Sequence, residues 1–183
     1  MTLNGFAFLR GLASVVLALS VGGSAMAQTA PPTVSKRFGQ WLFVCQGGND
    51  RGHCALLQTV SETLSRTTVF GWIIRYDGPN LISNFRTPTG IFVNKGIQIK
   101  IDDGQPLHIG FERCEARECQ ALFSITDDFS KQLAAAKQMV VTLALTSGKS
   151  ADVNLPLDGY AEALAALAAT PAAPATPASP GGG

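Results

Sequence analysis

Four cysteines are the residues of this chain best suited to covalent chemistry, and they stand in two close pairs. Eight residues separate Cys45 from Cys54, and four separate Cys114 from Cys119. Each pair lies between two runs that we predict to be strands, and facing Cα atoms of antiparallel strands are about 4.5 to 5.5 Å apart, within disulfide range. Four cysteines allow three connectivities, and the crossed pairings would close longer loops. Proximity favours the local pairs Cys45–Cys54 and Cys114–Cys119.

Zinc binding is the competing use of these thiols. Spacings of eight and four residues differ from the two to four that usually separate the ligands in each half of a structural zinc site. Thiols also oxidise after export to a non-reducing compartment. We therefore expect disulfides, with no metal site and no cofactor.

The first residues indicate that export. Arg10 precedes a short apolar run, and the small residues Ala25-Met26-Ala27 end it, as in a signal peptide over residues 1–27 that is cleaved before Gln28. The run is about a dozen residues long, whereas a membrane-spanning helix needs about 20, and no later segment approaches that length. No cysteine follows the cleavage point until Cys45, so none is placed to receive a lipid. We expect a soluble bacterial protein, periplasmic or secreted.

Charge indicates which classes of partner to expect, and composition indicates the domain organisation. Removing Arg10 leaves 13 basic and 13 acidic residues, so bulk charge favours neither nucleic acid nor an anionic membrane. Residues 169–183 are mostly Ala, Pro and Gly and have little to bury, which predicts a disordered tail. We expect a lead-in over residues 28–37 and a single domain over 38–168.

Residues for catalysis are few. The chain has only two histidines, His53 and His108, and neither adjoins a recognisable nucleophile. It lacks a Gly-x-Ser-x-Gly elbow, a phosphate-binding glycine loop and a His-Glu-x-x-His pair. Asp102-Asp103 and Asp127-Asp128 stand where a turn and a helix start favour aspartate. We therefore predict no catalytic residue and no enzyme activity.

Alternating apolar residues dominate the elements that would position these groups. Ile97, Ile99 and Ile101 alternate with polar residues, which is typical of a half-buried strand. Eight further runs share this or a β-branched, aromatic composition: 41–45, 54–60, 69–76, 81–86, 107–111, 120–125, 140–146 and 153–157. About nine short strands separated by turn sequences predict an all-β fold, mainly an antiparallel sandwich or barrel. One or two short helices near the C-terminus complete it, beginning near Asp127 and near Tyr160.

The loop between the first two cysteines is the candidate binding region. Its glycines allow unusual backbone shapes, and its polar side chains are Asn49, Asp50, Arg51 and His53. A disulfide across the loop would limit the entropy lost when it binds a partner. The tryptophans Trp41 and Trp72 could also line a ligand surface, but core packing is the simpler interpretation.

The chain resembles the invasion-associated locus B family of alphaproteobacteria over nearly the whole ordered domain. The matching segments are Phe38 to Trp41, Val44-Cys45, Cys54 to Leu56, Gly90-Ile91, Gly96 to Asp102, Cys114, Cys119 to Ala121 and Leu155 to Tyr160. One departure is Glu118, where family members often have glycine. The resemblance implies an exported β-rich protein, linked in some intracellular pathogens to host-cell invasion, and it supplies no catalytic residues.

We therefore expect an exported binding module whose partner is an unknown protein, envelope component or host surface. A structural or chaperone-like envelope factor is the alternative, followed by a small hydrolase. Stable co-purification with an outer-membrane or peptidoglycan component would favour the envelope factor. A cleft joining a histidine to a serine and a carboxylate would favour the hydrolase.

Overall fold

A computed structural model describes residues 33–48, 50–62, 66 and 68–172, which form two antiparallel sheets and two helices. The predicted signal peptide, Asn49 and residues 173–183 of the predicted tail lie outside the described residues. The strands are β1 (Thr33–Phe38), β2 (Trp41–Gln46), β3 (Cys54–Ser61), β4 (Thr68–Asp77), β5 (Asn80–Pro88), β6 (Ile97–Ile101), β7 (Leu107–Ile109), β8 (Arg113–Cys114), β9 (Glu118–Ser124), β10 (Gln138–Ala144) and β11 (Ser150–Pro156). The α-helices are α1 (Asp127–Ala135) and α2 (Tyr160–Ala168), and a single 3-10 turn spans Val93–Lys95.

The two sheets confirm the predicted all-β, sandwich-like class. The larger sheet has the order β1-β2-β3-β4-β5-β9-β8, and the smaller has the order β11-β10-β6-β7. Every pairing is antiparallel, and an isolated bridge joins Ile91 to Leu145. The described residues contain eleven strands; β1, which includes residues 33–37 of the predicted lead-in, and β8 are additions to the nine predicted from sequence.

Aromatic side chains occupy the centre of the core. Trp41 and Trp72 are fully buried with ring centroids 4.8 Å apart, and Tyr160 of α2 lies 5.4 Å from Trp41. Trp72 Nε1 donates a 2.9 Å hydrogen bond to Ser83 Oγ, which pairs a polar atom that would otherwise be costly to bury. The tryptophans therefore serve core packing.

Helix α1 begins with a side-chain cap. Thr126 Oγ1 accepts a 3.2 Å hydrogen bond from the amide of Phe129, so the cap lies one residue before the aspartates expected to provide it. Asp127 and Asp128 lie in the first turn, where carboxylates interact favourably with the helix dipole. Leu133 is the fully buried residue of the helix.

Helix α2 packs against β1, β2 and β3. It buries Tyr160, Ala163 and Leu167, spaced so that they share one helix face. The preceding Gly159 has φ +82°, and a Cβ placed on it would lie 2.3 Å from the carbonyl oxygen of Phe38. This glycine lets the chain pass close to the end of β1, and the C-terminus of α2 is thereby directed toward the loop between β2 and β3.

Within the described residues, no helix is long and apolar enough to cross a membrane.

Candidate functional site

The loop between β2 and β3 is closed by a disulfide at its base. Cys45 and Cys54 are partners in the β2–β3 ladder, their Cα atoms are 4.0 Å apart, and both are buried. The amide of Gln46 donates a 2.9 Å hydrogen bond to the carbonyl of His53, which continues the pairing one step beyond the disulfide. The candidate loop is thus an extension of a two-stranded ladder.

A second disulfide joins Cys114 to Cys119 across the β8–β9 hairpin, also with Cα atoms 4.0 Å apart. The amide of Glu115 donates a 2.8 Å hydrogen bond to the carbonyl of Glu118, which closes the turn. Both bonds therefore join the partners that lie nearest in sequence, and the part of the chain that the structure describes has no free cysteine.

Asp50 organises the candidate loop from within. Its carboxylate accepts a 2.8 Å hydrogen bond from the amide of Gly52 and contacts of 3.0 Å from Nδ1 of His53. The His53 hydrogen bond lowers the pKa of Asp50 below its ordinary value, and the Gly52 amide adds to this effect. Gly48 lies against the imidazole, since a Cβ there would be 2.8 Å from Nδ1. The carboxylate and the imidazole thus hold each other in place.

Arg51, the next residue, reaches the end of α2. Its Nε donates a 3.0 Å hydrogen bond to the carbonyl of Thr170, and Nη2 donates to the carbonyl of Ala168. Its backbone amide donates to the carbonyl of Pro171 at 2.8 Å, and the guanidinium stacks 4.7 Å from the centre of the Tyr76 ring. The last carbonyls of a helix lack intrahelical partners, so Arg51 satisfies groups that would otherwise need water.

The four residues predicted for this site therefore have different roles. Asp50 and His53 form one pair, whereas Arg51 fixes the end of α2 and is occupied within the chain. Asn49 lies outside the described residues. The role of Arg51 was missed from sequence, because nothing local indicates that a helix 117 residues later ends beside the loop.

Asp102 and His108, also considered for catalysis, form hydrogen bonds with backbone groups. The Asp102 carboxylate accepts hydrogen bonds from the amides of Lys137 and Gln138, at 3.2 and 3.0 Å. His108 is exposed on β7, and its Nε2 donates to the carbonyl of Lys95. Among the described residues, no cluster of three or more His, Cys, Asp or Glu side chains could hold a metal ion.

Comparison with known proteins gives concordant matches. A family model described as "Invasion associated locus B (IalB) protein" matches residues 41–168. Two relatives named Invasion protein B homolog, from Brucella abortus strain 2308 and from biovar 1 strain 9-941, are each 29% identical over 162 residues; the match covers 84% of this chain and 91% of each relative.

A solved structure is also similar. The crystal structure of invasion associated protein B from Bartonella henselae superposes with a TM-score of 0.65 at 18% identity, covering 74% of this chain and 96% of that one. At this identity the likeness establishes the shared fold.

Proposed function

Since the chain belongs to the invasion associated locus B family, we propose that it is an exported, non-catalytic binding protein of the cell envelope. The relatives from Brucella abortus and Bartonella henselae are named as invasion proteins, and a role in contact with a host surface is part of this proposal. The signal-like N-terminus and the two disulfides support a periplasmic or secreted location.

The observation that carries the proposal is a polar loop whose described residues are held by contacts within the chain. The Cys45–Cys54 bond closes its base, the Asp50–His53 pair holds its interior, and Arg51 ties it to α2. Binding by a flexible loop costs entropy, whereas a loop ordered in advance loses little. Loops on a rigid β scaffold are also where binding residues concentrate.

The contacts within the loop also refine where a partner would bind. Asp50 bonds to Gly52 and His53 within the loop, and Arg51 bonds to the end of α2, whereas the His53 side chain is 49% exposed. Because Asp50 contacts Nδ1, the Nε2 edge of the imidazole is the edge turned away from that carboxylate. We place the centre of the contact surface at His53; Asn49, which the sequence also suggested, lies outside the described residues.

The test is binding of labelled mature protein to two surfaces, isolated bacterial envelopes and cultured host cells. Wild type is expected to bind at least one of them saturably. His53→Ala is expected to reduce binding at least fivefold without changing the thermal midpoint by more than a few degrees. His108→Ala is the matched control, because it removes the chain's other histidine from a different sheet and should bind like wild type.

Arg51→Ala provides a second arm. It leaves the His53 side chain intact but removes the contacts with α2, so weaker binding by this variant would show that loop order matters. Equal binding by wild type and His53→Ala would overturn the proposed contact surface. Histidine-dependent hydrolysis of an envelope component would favour an enzyme instead.

A further inference from the structure

Strand β11 forms an edge of the smaller sheet, and among the described strands only β10 pairs with it. The amide of Leu145 donates a 2.8 Å hydrogen bond to the carbonyl of Lys149, the residue before β11. Backbone groups alternate in direction along an antiparallel strand, so the odd-numbered residues of β11 bond to β10. The N–H and C=O groups of Asp152 and Asn154 therefore point away from β10, toward the open edge.

A side chain of the larger sheet supports this direction. Gln58 Nε2 donates a 2.8 Å hydrogen bond to the carbonyl of Pro156, an even-numbered residue of β11, so that carbonyl also points away from β10. Asp152 and Asn154 are exposed, and the Asp152 carboxylate accepts a hydrogen bond from Thr142 on the outer face of the smaller sheet. The edge at residues 152 and 154 thus carries backbone groups that no other strand in the described part of the chain pairs.

This open edge borders an apolar cleft between the two sheets. The cleft has a volume of about 620 Å³, within the range of pockets that hold ligands. Asp152 and Asn154 line it, and because their side chains lie on the outer face of the sheet, they border it through the backbone. The aliphatic lining consists of Val60, Val69, Ile91, Leu143, Leu145 and Val153. A chain that lay along β11 could place every second side chain in the cleft.

The other sheet edges are protected against the addition of a strand. Natural proteins protect such edges with very short strands and with charged residues, lysine above all. β7 and β8 have three and two residues, and β1 carries Lys36 and Arg37. β11 has seven residues and no basic one, and its one acidic side chain is held by Thr142. Among the described edges, β11 is therefore the one best suited to pair with another chain.

Two occupants from this chain itself fit poorly. The segment 173–183 contains Pro174, Pro177 and Pro180, which lack the N–H that a ladder needs. It also follows Pro171, which is bonded to Arg51 at the opposite end of β3 from the cleft. A second copy that offered its own β11 would have no apolar side chain to insert, because the inward side chains of that strand lie in its own core.

We propose that β11 and the cleft bind an extended segment of a partner protein as an added antiparallel strand, with aliphatic residues at alternate positions and no proline. Every pairing in the two sheets is antiparallel, and such ladders are slightly more stable than parallel ones. Backbone hydrogen bonds at Asp152 and Asn154 supply affinity, and the aliphatic side chains that enter the cleft supply specificity. This surface is separate from His53, so either proposal can fail without the other.

Amide hydrogen exchange of the mature protein gives the first test. The amides of Asp152 and Asn154 should exchange quickly, whereas those of Val153 and Leu155, which bond to β10, should exchange slowly. Slow exchange at Asp152 and Asn154 without any partner would show that this edge is already paired, and would overturn the proposal.

The second test titrates the protein with a capped peptide, acetyl-Lys-Val-Thr-Val-Thr-Val-Lys-amide, followed by calorimetry and amide exchange. Binding should be saturable and should slow exchange at Asp152 and Asn154. In an antiparallel addition the threonine N–H groups point to β11 and the valine side chains enter the cleft. Methylating the two threonine amide nitrogens should therefore weaken binding about tenfold or more. Methylating two valine amide nitrogens is the matched control and should change binding little.

Two variants at one position test the edge from the side of the protein. Asn154→Pro removes an N–H that points away from β10, so it breaks no bond of the β10–β11 ladder, and proline is tolerated at such edge positions. It should weaken peptide binding about tenfold. Asn154→Ala removes the same side chain but keeps the N–H, and should bind like wild type. A peptide with serine in place of valine should also bind about tenfold more weakly, because the cleft is aliphatic.

The proposal is overturned if wild type does not bind the peptide, or if exchange slows at another edge instead. It is also overturned if the two methylated peptides bind equally well, because binding would then not use one row of N–H groups. Weaker binding of the valine-methylated peptide alone would contradict the antiparallel orientation. The peptide comparison uses the wild-type protein, so it decides the question even if Asn154→Pro does not fold.

Discussion

Arg51 Nε donates a 3.0 Å hydrogen bond to the carbonyl oxygen of Thr170, so a loop in the first third of the domain holds the chain 119 residues later. The same guanidinium reaches the carbonyl of Ala168. Hydrogen bonds from a charged donor to otherwise unpaired carbonyls are stronger than neutral ones. This contact makes the loop and the end of α2 one structural unit.

The first prediction follows from this contact. Arg51→Ala should lower the free energy of unfolding by about 1.5 to 3 kcal/mol, the range for hydrogen bonds to a charged group. Amide hydrogen exchange should become faster at Ala169 and Thr170, which donate to the last turn of α2. Arg51→Lys keeps the charge but lacks the planar fork that serves two carbonyls, so it should restore only part of the stability. Unchanged exchange at these two amides would contradict the prediction.

The second prediction concerns acid. The pKa of Asp50 is lowered in the folded protein, so its contribution to stability is present above the unfolded value of about 3.9 and is lost as pH falls through the lower folded value. The loop should therefore keep its order at neutral pH and lose it in strong acid. In a carbon-detected titration of the carboxyl groups, His53→Ala should raise the pKa of Asp50 toward its ordinary value. The same pKa in both proteins would show that the imidazole is not the cause.

The third prediction compares two glycines with the same backbone conformation. Gly148 and Gly159 both have φ +82°, but a Cβ at Gly148 would meet nothing within 4 Å, whereas one at Gly159 would lie 2.3 Å from the Phe38 carbonyl oxygen. Gly148→Ala should cost about 1 to 2 kcal/mol, the conformational penalty alone. Gly159→Ala should cost more, because the end of β1 must also move away. Equal losses of stability on chemical denaturation would mean that this close approach is not important.

The fourth prediction concerns the disulfides. Replacing Cys114 and Cys119 together by Ala should lower the free energy of unfolding by about 2 to 3 kcal/mol while β content in circular dichroism stays the same. The Cys45 and Cys54 double replacement should cost a similar amount, since both bonds close short loops. Peptide mapping without reduction should find the two local bonds. A crossed peptide, or stoichiometric zinc in protein purified from the periplasm, would contradict the pairing.

The fifth prediction concerns processing. Protein recovered from the periplasm should begin at Gln28, or at the pyroglutamate formed from it, because a short apolar run is followed by the small residues Ala25-Met26-Ala27. Mass spectrometry of the intact protein tests this directly. If Met1 were retained in the mature protein, the predicted location would be wrong.

Most of the strands could be predicted because the alternation of apolar and polar residues in the sequence matches the alternation of buried and exposed residues in the structure. Ile97 and Ile99 of β6 are buried while Gln98 and Lys100 between them are exposed, as period two requires. Strand β1 gives no such signal, because residues 34–37 of this sheet edge are all exposed. Its six residues form a strand by pairing with β2 across a two-residue turn, and composition alone does not show that pairing.

The candidate site was less predictable, because part of it depends on contacts between segments that are distant in the sequence. The disulfides could be inferred because each joins neighbouring strands. The direction of Arg51 could not, since it depends on where α2 ends in space. The apolar cleft between the two sheets was also missed, because its lining comes from five strands and the segments beside them and each residue taken alone is typical of an ordinary strand.

The order of the strands has a consequence for the time course of folding. β5 pairs with β9, yet 29 residues lie between them in the chain, and they contain strands of both sheets. A chain that emerges N-terminus first therefore leaves one edge of β5 open until β9 has appeared, and β6 must wait for β10. Open strand edges invite pairing with other molecules, and distant pairings slow folding. A chain interrupted before Glu118 should thus be far more prone to aggregate than the complete domain. In the complete domain, the pairing of β5 with β9 should be the slow step of refolding.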